Sequence, residues 1–174
     1  MQNSRIINVL LAALVSVFLC TAAVAQDHAT AQEVVAKVKE AASTLAKTSD
    51  VKPFDERHGP WVWKDTYVFV YDCDKKVMAA HPIKPEMIGQ DISTIKDQKS
   101  GKVIIPDPAA FCKQVQDSAS GIWKEFWWPK PGEKDPSRKV AYYLRAKGTP
   151  YVAIAGVYDD KITIAEASKL SSVK

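Results

Sequence analysis

The stretch GIWKEFWWPKPGEKDPSRKVAYYLRA, residues 121–146, predicts two long antiparallel strands joined by a tight turn. Both halves are rich in the aromatic and β-branched side chains that favour strands. Between them, Pro129-Lys130-Pro131-Gly132 favours a chain reversal. Because successive side chains on a strand point to opposite faces, Phe126 and Trp128 share one face, and we expect a sheet with strongly aromatic positions beside the lysine at 139.

The sequence on either side predicts three more strands and three helices. Residues 30–47 have apolar side chains at helical spacing, and Thr30 stands three residues before Glu33, as in a capping box. Asp107 followed by Pro108 is typical of the start of a second helix. The predicted elements are helix 30–47, strand 61–71, turn 72–76, strand 77–80, an irregular connection to 106, helix 107–119, strands 121–128, 139–146 and 151–158, and helix 159–170. A five-stranded antiparallel sheet flanked by helices is an α+β architecture.

The composition indicates one ordinary globular domain. The chain has 174 residues, of which 47% are hydrophobic and 25% are charged, close to average usage. A length of about 100–200 residues usually builds a single hydrophobic core. The formal net charge is +4 and the basic residues are scattered. Since nucleic-acid binding requires a basic stripe or a known module, no nucleic-acid partner is expected.

Residues 1–25 have the organisation of a secretory signal peptide. Arg5 is followed by an apolar stretch, and the segment ends in an Ala-x-Ala pattern at Ala25. The alternative is an uncleaved membrane anchor over residues 6–25, which could just span a bilayer. Cleavage would leave residues 26–174 as one ligand-binding domain, periplasmic or secreted, without a membrane span.

Two cysteines, Cys73 and Cys112, would remain in the mature chain. An oxidising compartment favours a disulfide between them, which would stabilise the fold by roughly 3–4 kcal/mol. The alternative is two buried free thiols. No metal site is expected, because neither cysteine has a Cys-x-x-Cys partner and the three histidines lack zinc-binding spacing.

Strand alternation predicts an aromatic-walled space on one face of the sheet. Tyr67 and Phe69 share a face of the first strand, as Phe126 and Trp128 do on the third. A lysine in a partly dry site acts strongly on a small anion, so Lys139 beside such walls would suit a small carboxylate. The alternative is that the rings are ordinary core and that Lys139 lies on the surface.

Enzyme motifs are absent from the sequence. There is no Gly-x-Ser-x-Gly elbow, no glycine-rich phosphate loop and no His-Glu-x-x-His helix. His81 with Asp72 or Asp74 could form an acid–base pair, but a structural histidine or a ligand-binding donor is the preferred interpretation. Neither cysteine has an adjacent activating base. We therefore predict a protein that is not an enzyme and that needs no cofactor.

An ordered set of short motifs across roughly residues 32–170 resembles the single Cache domains of the second type. The matching stretches are Tyr67-Val68-Phe69-Val70-Tyr71-Asp72, Ala80-His81-Pro82-Ile83-Lys84-Pro85-Glu86, Gly89-Gln90-Asp91, Trp127-Trp128-Pro129-Lys130-Pro131-Gly132, Lys139-Val140-Ala141-Tyr142 and Ala155-Gly156-Val157-Tyr158-Asp159-Asp160. The resemblance implies a long N-terminal helix on a curved, PAS-like antiparallel sheet that cups a small-molecule pocket. Members of this family are extracytoplasmic sensor modules of chemoreceptors and kinases, or small secreted proteins, and they bind small organic acids without changing them.

The resemblance also assigns residues by position. The His-Pro motif is His81-Pro82, the aromatic pair is Trp127-Trp128, and the Lys-x-x-Tyr motif is Lys139 with Tyr142. It implies that Lys139 meets the ligand carboxylate and that Trp128 and Tyr142 shape the wall. The candidate ligand-binding residues are Tyr67, Phe69, His81, Phe126, Trp128, Lys139 and Tyr142.

Two positions depart from the family pattern. Lys75-Lys76 stands where the hairpin usually has a glycine, and Phe126 stands where a tyrosine is common, which removes a hydroxyl. Strand alternation also places Lys139 and Tyr142 on opposite faces, so a β-bulge is required if both are to line one pocket.

The expected role is signal transduction or chemotaxis through a bound small molecule. Only sixteen residues follow Tyr158, so we expect no transmitter domain, and the protein would act as a soluble binding protein or as a partner of a membrane receptor or another periplasmic protein. The alternatives are an interaction module that binds no ligand and an exported enzyme that uses His81.

Overall fold

A computed structural model describes residues 28–172, and the predicted signal peptide lies outside that range. The helices and strands are α1 Ala31–Thr48, β1 Val62–Trp63, β2 Thr66–Tyr67, β3 Phe69–Asp72, β4 Val77–Ala80, α2 Pro108–Asp117, β5 Ile122–Pro129, β6 Pro136–Arg145, β7 Tyr151–Tyr158 and α3 Ile164–Ser172. β1 and β2 form a small hairpin, and the other five strands form one antiparallel sheet in the order β4-β3-β7-β6-β5. The predicted α+β architecture is confirmed. None of the helices in the described range is long and apolar enough to cross a membrane.

The long helix α1 begins at its predicted cap. The Thr30 side chain accepts from the backbone N–H of Glu33, and the Glu33 carboxylate accepts from the backbone N–H of Thr30. The helix ends at Ser49, whose backbone is left-handed with φ 53°. Its buried side packs on β7 and β6, so α1 covers one face of the sheet.

The prediction of one strand over residues 61–71 is wrong. The segment divides into β1, β2 and β3, because Lys64 adopts a positive φ of 48° and the chain turns back at Asp65. The Asp65 side chain points inward, where it accepts a hydrogen bond from the backbone N–H of Ala29 at 2.9 Å. A tertiary contact thus interrupts a sequence whose composition favours a continuous strand.

The last helix starts later than predicted. Instead of opening at Asp159, α3 begins at Ile164 after a capping box formed by Thr163 and Glu166. The Asp159 carboxylate is occupied by the backbone N–H groups of Lys161 and Ile162, which hold a turn before the helix. The short polar segment after β7 is therefore a capped turn, and only its continuation is helical.

Two features fix the end of the β3–β4 hairpin. Cys73 and Cys112 form a disulfide with a Cα–Cα distance of 5.8 Å, which ties the end of β3 to α2. Lys76 adopts φ 58° in the turn, a backbone conformation that glycine tolerates best. Lys76, one of the two lysines noted in the sequence, therefore holds a left-handed conformation without being a glycine.

The five-stranded sheet separates two hydrophobic cores. On the helix face, α1 and α3 pack against side chains such as Val140, Tyr142 and Ala155. The opposite face, here called the cavity face, has Tyr67, Phe69, Tyr71, Phe126, Trp128 and Tyr143 under α2 and the connection between β4 and α2. This division follows the side-chain alternation of the strands.

Candidate ligand-binding site

Lys139 is the central residue of the cavity face. It lies in β6 between Phe126 of β5 and Tyr158 of β7 and is 0% exposed. Within residues 28–172 its ammonium nitrogen Nζ has no hydrogen-bond partner. The prediction that Lys139 faces the aromatic side is confirmed, and the alternative of a surface lysine is wrong.

Gly156 in β7 provides the space for this side chain. A Cβ at position 156 would lie 2.7 Å from both Cγ and Cε of Lys139, far closer than non-bonded carbons approach. The lysine stem therefore lies directly on the glycine backbone. The Gly156 carbonyl in turn accepts a hydrogen bond of 2.6 Å from the Thr66 hydroxyl, which fixes the strand beneath the lysine.

Three aromatic rings surround the ammonium group and are here called the lysine cage: those of Tyr67, Phe69 and Tyr158. Nζ of Lys139 lies 4.0 Å from the ring centroid of Tyr67, 4.9 Å from that of Tyr158 and 5.5 Å from that of Phe69. These distances allow cation–π attraction, but none of the three side chains accepts a hydrogen bond from Nζ. Burial lowers the pKa of Lys139 to about 7, and the charge of Asp65 acts in the opposite direction. At neutral pH the lysine is therefore only partly protonated, and it gains or loses its charge readily.

His81 stands beside this cage with a defined tautomer. Its Nδ1 accepts the backbone N–H groups of Lys84 at 3.0 Å and Ile83 at 3.3 Å. Burial, and secondarily the charge of Lys139, lowers the pKa of His81 to about 3. The imidazole is therefore neutral with its proton on Nε2, and it stacks on Phe69 with a centroid distance of 5.5 Å.

A cavity of about 10 Å³ lies between these residues. That is about the volume needed for one water molecule, so side chains fill most of the hollow expected from the sequence. The lining combines the cationic side chain of Lys139 and the imidazole of His81 with aromatic rings and aliphatic side chains. The lining residues are Tyr67, Phe69, Tyr71, Met78, His81, Met87, Ile95, Ile104, Phe126, Trp128 and Lys139.

Six of the seven candidate residues meet at this cavity, and Tyr142 does not. The registers of β6 with β5 and β7 run without a bulge through position 142, so its side chain points to the helix face. There the Tyr142 hydroxyl donates to the carbonyl of Ser120 at 2.7 Å, and its ring contacts Trp123. The assignment of Tyr142 to the cavity wall is therefore corrected.

Sequence reasoning missed several lining residues. Met87, Ile95 and Ile104 come from the irregular connection between β4 and α2, where no strand or helix period indicates which side chains point inward. Tyr71 lies two residues after Phe69 in β3, so the alternation that selected Phe69 also indicates Tyr71. Gly156 gave no sign in sequence of lying beneath a lysine.

Other concave surfaces lack these features. A groove of about 730 Å³ runs past Arg145, Thr149 and Pro150, but it is open to solvent, and neither buried side-chain atom without a partner in the described chain belongs to its lining. Across residues 28–172, no three His, Cys, Asp or Glu side chains lie close enough to hold a metal ion. The cavity beside Lys139 is therefore the candidate site.

Comparison with known sequences agrees with the family resemblance described in the sequence analysis. A model of the single Cache domain 2 family matches residues 1–171. The methyl-accepting chemotaxis protein McpP of Pseudomonas putida is 31% identical to this chain over 106 residues. That match covers 61% of this chain and 18% of the receptor, so the chain aligns with about a fifth of its relative's length.

Solved structures share the fold. A periplasmic sensor domain of a chemotaxis protein aligns with a TM-score of 0.52 and 22% identity, covering 75% of this chain and 90% of that one. A Cache chemosensory domain, described in terms of its carboxylic acid recognition, aligns with a TM-score of 0.52 and 23% identity, covering 74% of this chain and 88% of its own. At this level of identity the likeness concerns the architecture of helix, sheet and cavity face.

Proposed function

The chain belongs to the single Cache domain 2 family, and we propose that it is an exported sensor domain that binds a small monocarboxylate at Lys139. It is a Cache sensor domain homologous to chemotaxis receptor domains. The acid would occupy the cavity face and would leave unchanged. Its binding would be the signal passed to a membrane receptor or to another periplasmic protein.

The observation that carries this proposal is the buried ammonium group of Lys139. An unpaired charge in a dry interior is costly, and no described residue accepts a hydrogen bond from this ammonium group. A carboxylate would supply the missing acceptor and would place a negative charge in direct contact with the ammonium. His81 would contribute its Nε2–H as a second donor, since its Nδ1 is already occupied by backbone groups.

The lining of the cavity favours one carboxylate per ligand. Among the described residues that line the cavity, Lys139 is the only cation, and Met78, Met87, Ile95 and Ile104 form the aliphatic part of the lining. A second carboxylate would have to be buried against these apolar side chains without a partner, at a cost of several kcal/mol. A short aliphatic tail fits there better.

Ligand entry requires the cavity to expand. A volume of about 10 Å³ cannot hold even a two-carbon acid, because one water already needs that much space. Met87, Ile95 and Ile104 lie on the irregular connection rather than on the sheet, so this segment is the part that would move outward. Lys84, whose ammonium lies 4.8 Å from the ring of Trp128, would move with it.

Two further observations favour an exported binding protein over an enzyme. The disulfide between Cys73 and Cys112 suits an oxidising compartment. A pKa of about 3 for His81 lies far below the neutral range in which a general base works best. A related Cache domain is described as recognising carboxylic acids, which supports the same ligand class here.

The test is a titration of the purified domain with acetate, propionate and succinate, followed by calorimetry and thermal unfolding. We expect acetate or propionate to bind and raise the melting temperature, and succinate to bind at least about tenfold more weakly. Lys139→Met should abolish binding, while Lys147→Met, which changes an exposed lysine in the β6–β7 turn, should not. The proposal would be refuted if none of a broad panel of monocarboxylates bound, or if Lys139→Met bound them as tightly as the wild type. Turnover of the acid would favour the enzyme alternative.

A further inference from the structure

Asp65 is a second buried charge close to the site, although it does not line the cavity. It lies in the turn between β1 and β2, and its side chain is 1% exposed. One carboxylate oxygen accepts the backbone N–H of Ala29 at 2.9 Å, and the other lies 2.7 Å from Nδ1 of His28. The segment that precedes α1 therefore holds the carboxylate inside the fold.

The chain connects this carboxylate directly to the lysine cage. Thr66, the next residue, donates its hydroxyl to the carbonyl of Gly156, the residue on which the Lys139 stem lies. Tyr67 follows, and its ring centroid is 4.0 Å from Lys139 Nζ. The position of Asp65 is thus fixed relative to Lys139 by one hydrogen bond and one ring contact, while Nζ itself makes no hydrogen bond to any described residue.

Tyr67, Tyr158 and His81, the titratable groups that surround Lys139, are uncharged at neutral pH. Burial raises the pKa of Tyr67 on β2 and of Tyr158 on β7, and burial lowers that of His81. The groups that face the cage from the elements around it are Asp65, Tyr67, Tyr158, His81 and Lys84, with Glu133 of the β5–β6 turn acting on Tyr158. Among the described carboxylates, Asp65 is the one whose charge raises the pKa of Lys139.

We infer that Asp65 is a positioning residue whose fixed, buried negative charge keeps Lys139 protonated and so sets the pH range over which the cavity can hold an anion. The Asp65 carboxylate acts on the ammonium through space and not through a hydrogen bond. A carboxylate in direct contact with the ammonium would occupy the position that a ligand needs. Because Asp65 makes no hydrogen bond to Nζ, its charge favours the protonated lysine and leaves the hydrogen-bonding capacity of the ammonium available. The consequence for ligands rests on the proposed function; the effect on Lys139 does not.

The direct test measures the titration of Lys139 in the acid-free protein by NMR of lysines labelled with ¹³C at Cε. In Asp65→Asn we expect the midpoint of Lys139 to fall by about one pH unit, as loss of a nearby opposite charge predicts. Asp72→Asn is the matched control, because Asp72 is also a buried carboxylate that accepts backbone N–H groups, those of Asp74 and Lys75. It should leave the midpoint unchanged. An unchanged midpoint in Asp65→Asn would overturn the inference.

Acetate binding provides a separate measurement. At pH 8, Asp65→Asn should bind acetate about tenfold more weakly than the wild type, because fewer molecules carry a protonated lysine. The difference should shrink as the pH falls toward 6. If the midpoint shifts but no protein binds acetate or other acids, the inference about Asp65 stands and the proposed function fails.

A folding test covers the case in which Asp65→Asn does not fold. The double variant Asp65→Asn with Lys139→Met removes both charges. Recovery of the folded state in the double variant would show that the single variant failed because Lys139 had lost its countercharge. Failure of both would show that Asp65 serves the turn and the segment before α1, and the inference would be wrong.

Discussion

The two faces of the five-stranded sheet differ in whether their buried polar groups have hydrogen-bond partners. On the helix face, the indole N–H of Trp123 donates to the Ser171 hydroxyl at 3.2 Å, and the Tyr142 hydroxyl donates to the Ser120 carbonyl at 2.7 Å. On the cavity face, the Lys139 ammonium and the Tyr143 hydroxyl have no hydrogen-bond partner within the described range. The same strand, β6, supplies both kinds of position.

This difference distinguishes a face that mainly stabilises the fold from a face that is suited to binding. Satisfied polar groups and close-packed aliphatic side chains stabilise the helix face, where α1 and α3 pack. The cavity face buries a charge and a hydroxyl without acceptors, which costs free energy in the absence of a ligand. A ligand in the cavity that accepts a hydrogen bond from Lys139 recovers part of that cost as affinity. The predictions below test this division, beginning with the largest expected effect.

The pH dependence of unfolding should come mainly from the cavity face. The pKa of His81 is about 3 in the fold and near 6.5 in the unfolded chain, so the unfolded state gains a proton first and stability falls as the pH drops through that window. The pKa of Lys139 is about 7 in the fold and near 10.5 in the unfolded chain, so stability rises from pH 7 toward 10.5. Each effect is on the order of 5 kcal/mol. Urea unfolding as a function of pH measures both.

Single variants separate the two parts of that curve. His81→Asn should flatten the acid part and Lys139→Met the alkaline part. At neutral pH, Lys139→Met should also make the acid-free protein more stable, because it removes an unpaired buried charge. If the unfolding stability of the wild type changed with pH in neither range, the burial of His81 and Lys139 on the cavity face would be contradicted.

A helix-face variant should lose stability without changing the site. Leu45 is fully buried in α1, and Leu45→Ala removes side-chain contacts and leaves a cavity, at a cost of about 2–5 kcal/mol. We expect the acetate affinity and the Lys139 titration midpoint of the folded variant to match the wild type. A shifted midpoint would show that the two faces are coupled, and the division would fail.

The fold was predictable largely because its signals are local. Alternation along residues 121–146 and the turn chemistry at Pro129–Gly132 predicted β5 and β6, and the capping box predicted the start of α1. The division of residues 61–71 into three strands was not predictable. It depends on Asp65 reaching Ala29, a contact 36 residues away in sequence.

The site was predictable in part. Alternation placed Phe126 and Trp128 on one face of their strand, and the structure brings Lys139 of the next strand to the same cavity. The family resemblance alone placed Tyr142 there, and alternation had already indicated the other face. The volume of the cavity could not be predicted, because side chains from the irregular connection fill it, and such a connection has no period from which to read their direction.

Gly156→Ala should disturb the cavity face specifically. Its Cβ would lie 2.7 Å from two carbons of the Lys139 side chain, so we expect a loss of about 1–3 kcal/mol in unfolding stability and weaker acetate binding as the ammonium is displaced. Combining it with Lys139→Ala removes those two carbons and should recover at least half of the stability loss. A full, undiminished loss in the double variant would place the clash elsewhere, at the Val140 carbonyl 3.1 Å away.

The smallest effect is the sharpest comparison, because it uses two neighbouring tyrosines on opposite faces. Tyr142→Phe removes a hydroxyl that donates to Ser120 and leaves that carbonyl without it, so unfolding stability should fall by about 1 kcal/mol. Tyr143→Phe removes a buried hydroxyl that has no acceptor in the described chain, so stability should stay the same or rise. Chemical denaturation of the two variants side by side measures the difference. Equal losses of unfolding stability would mean that the Tyr143 hydroxyl has a hydrogen-bond acceptor in solution. The contrast between the two tyrosines would then fail.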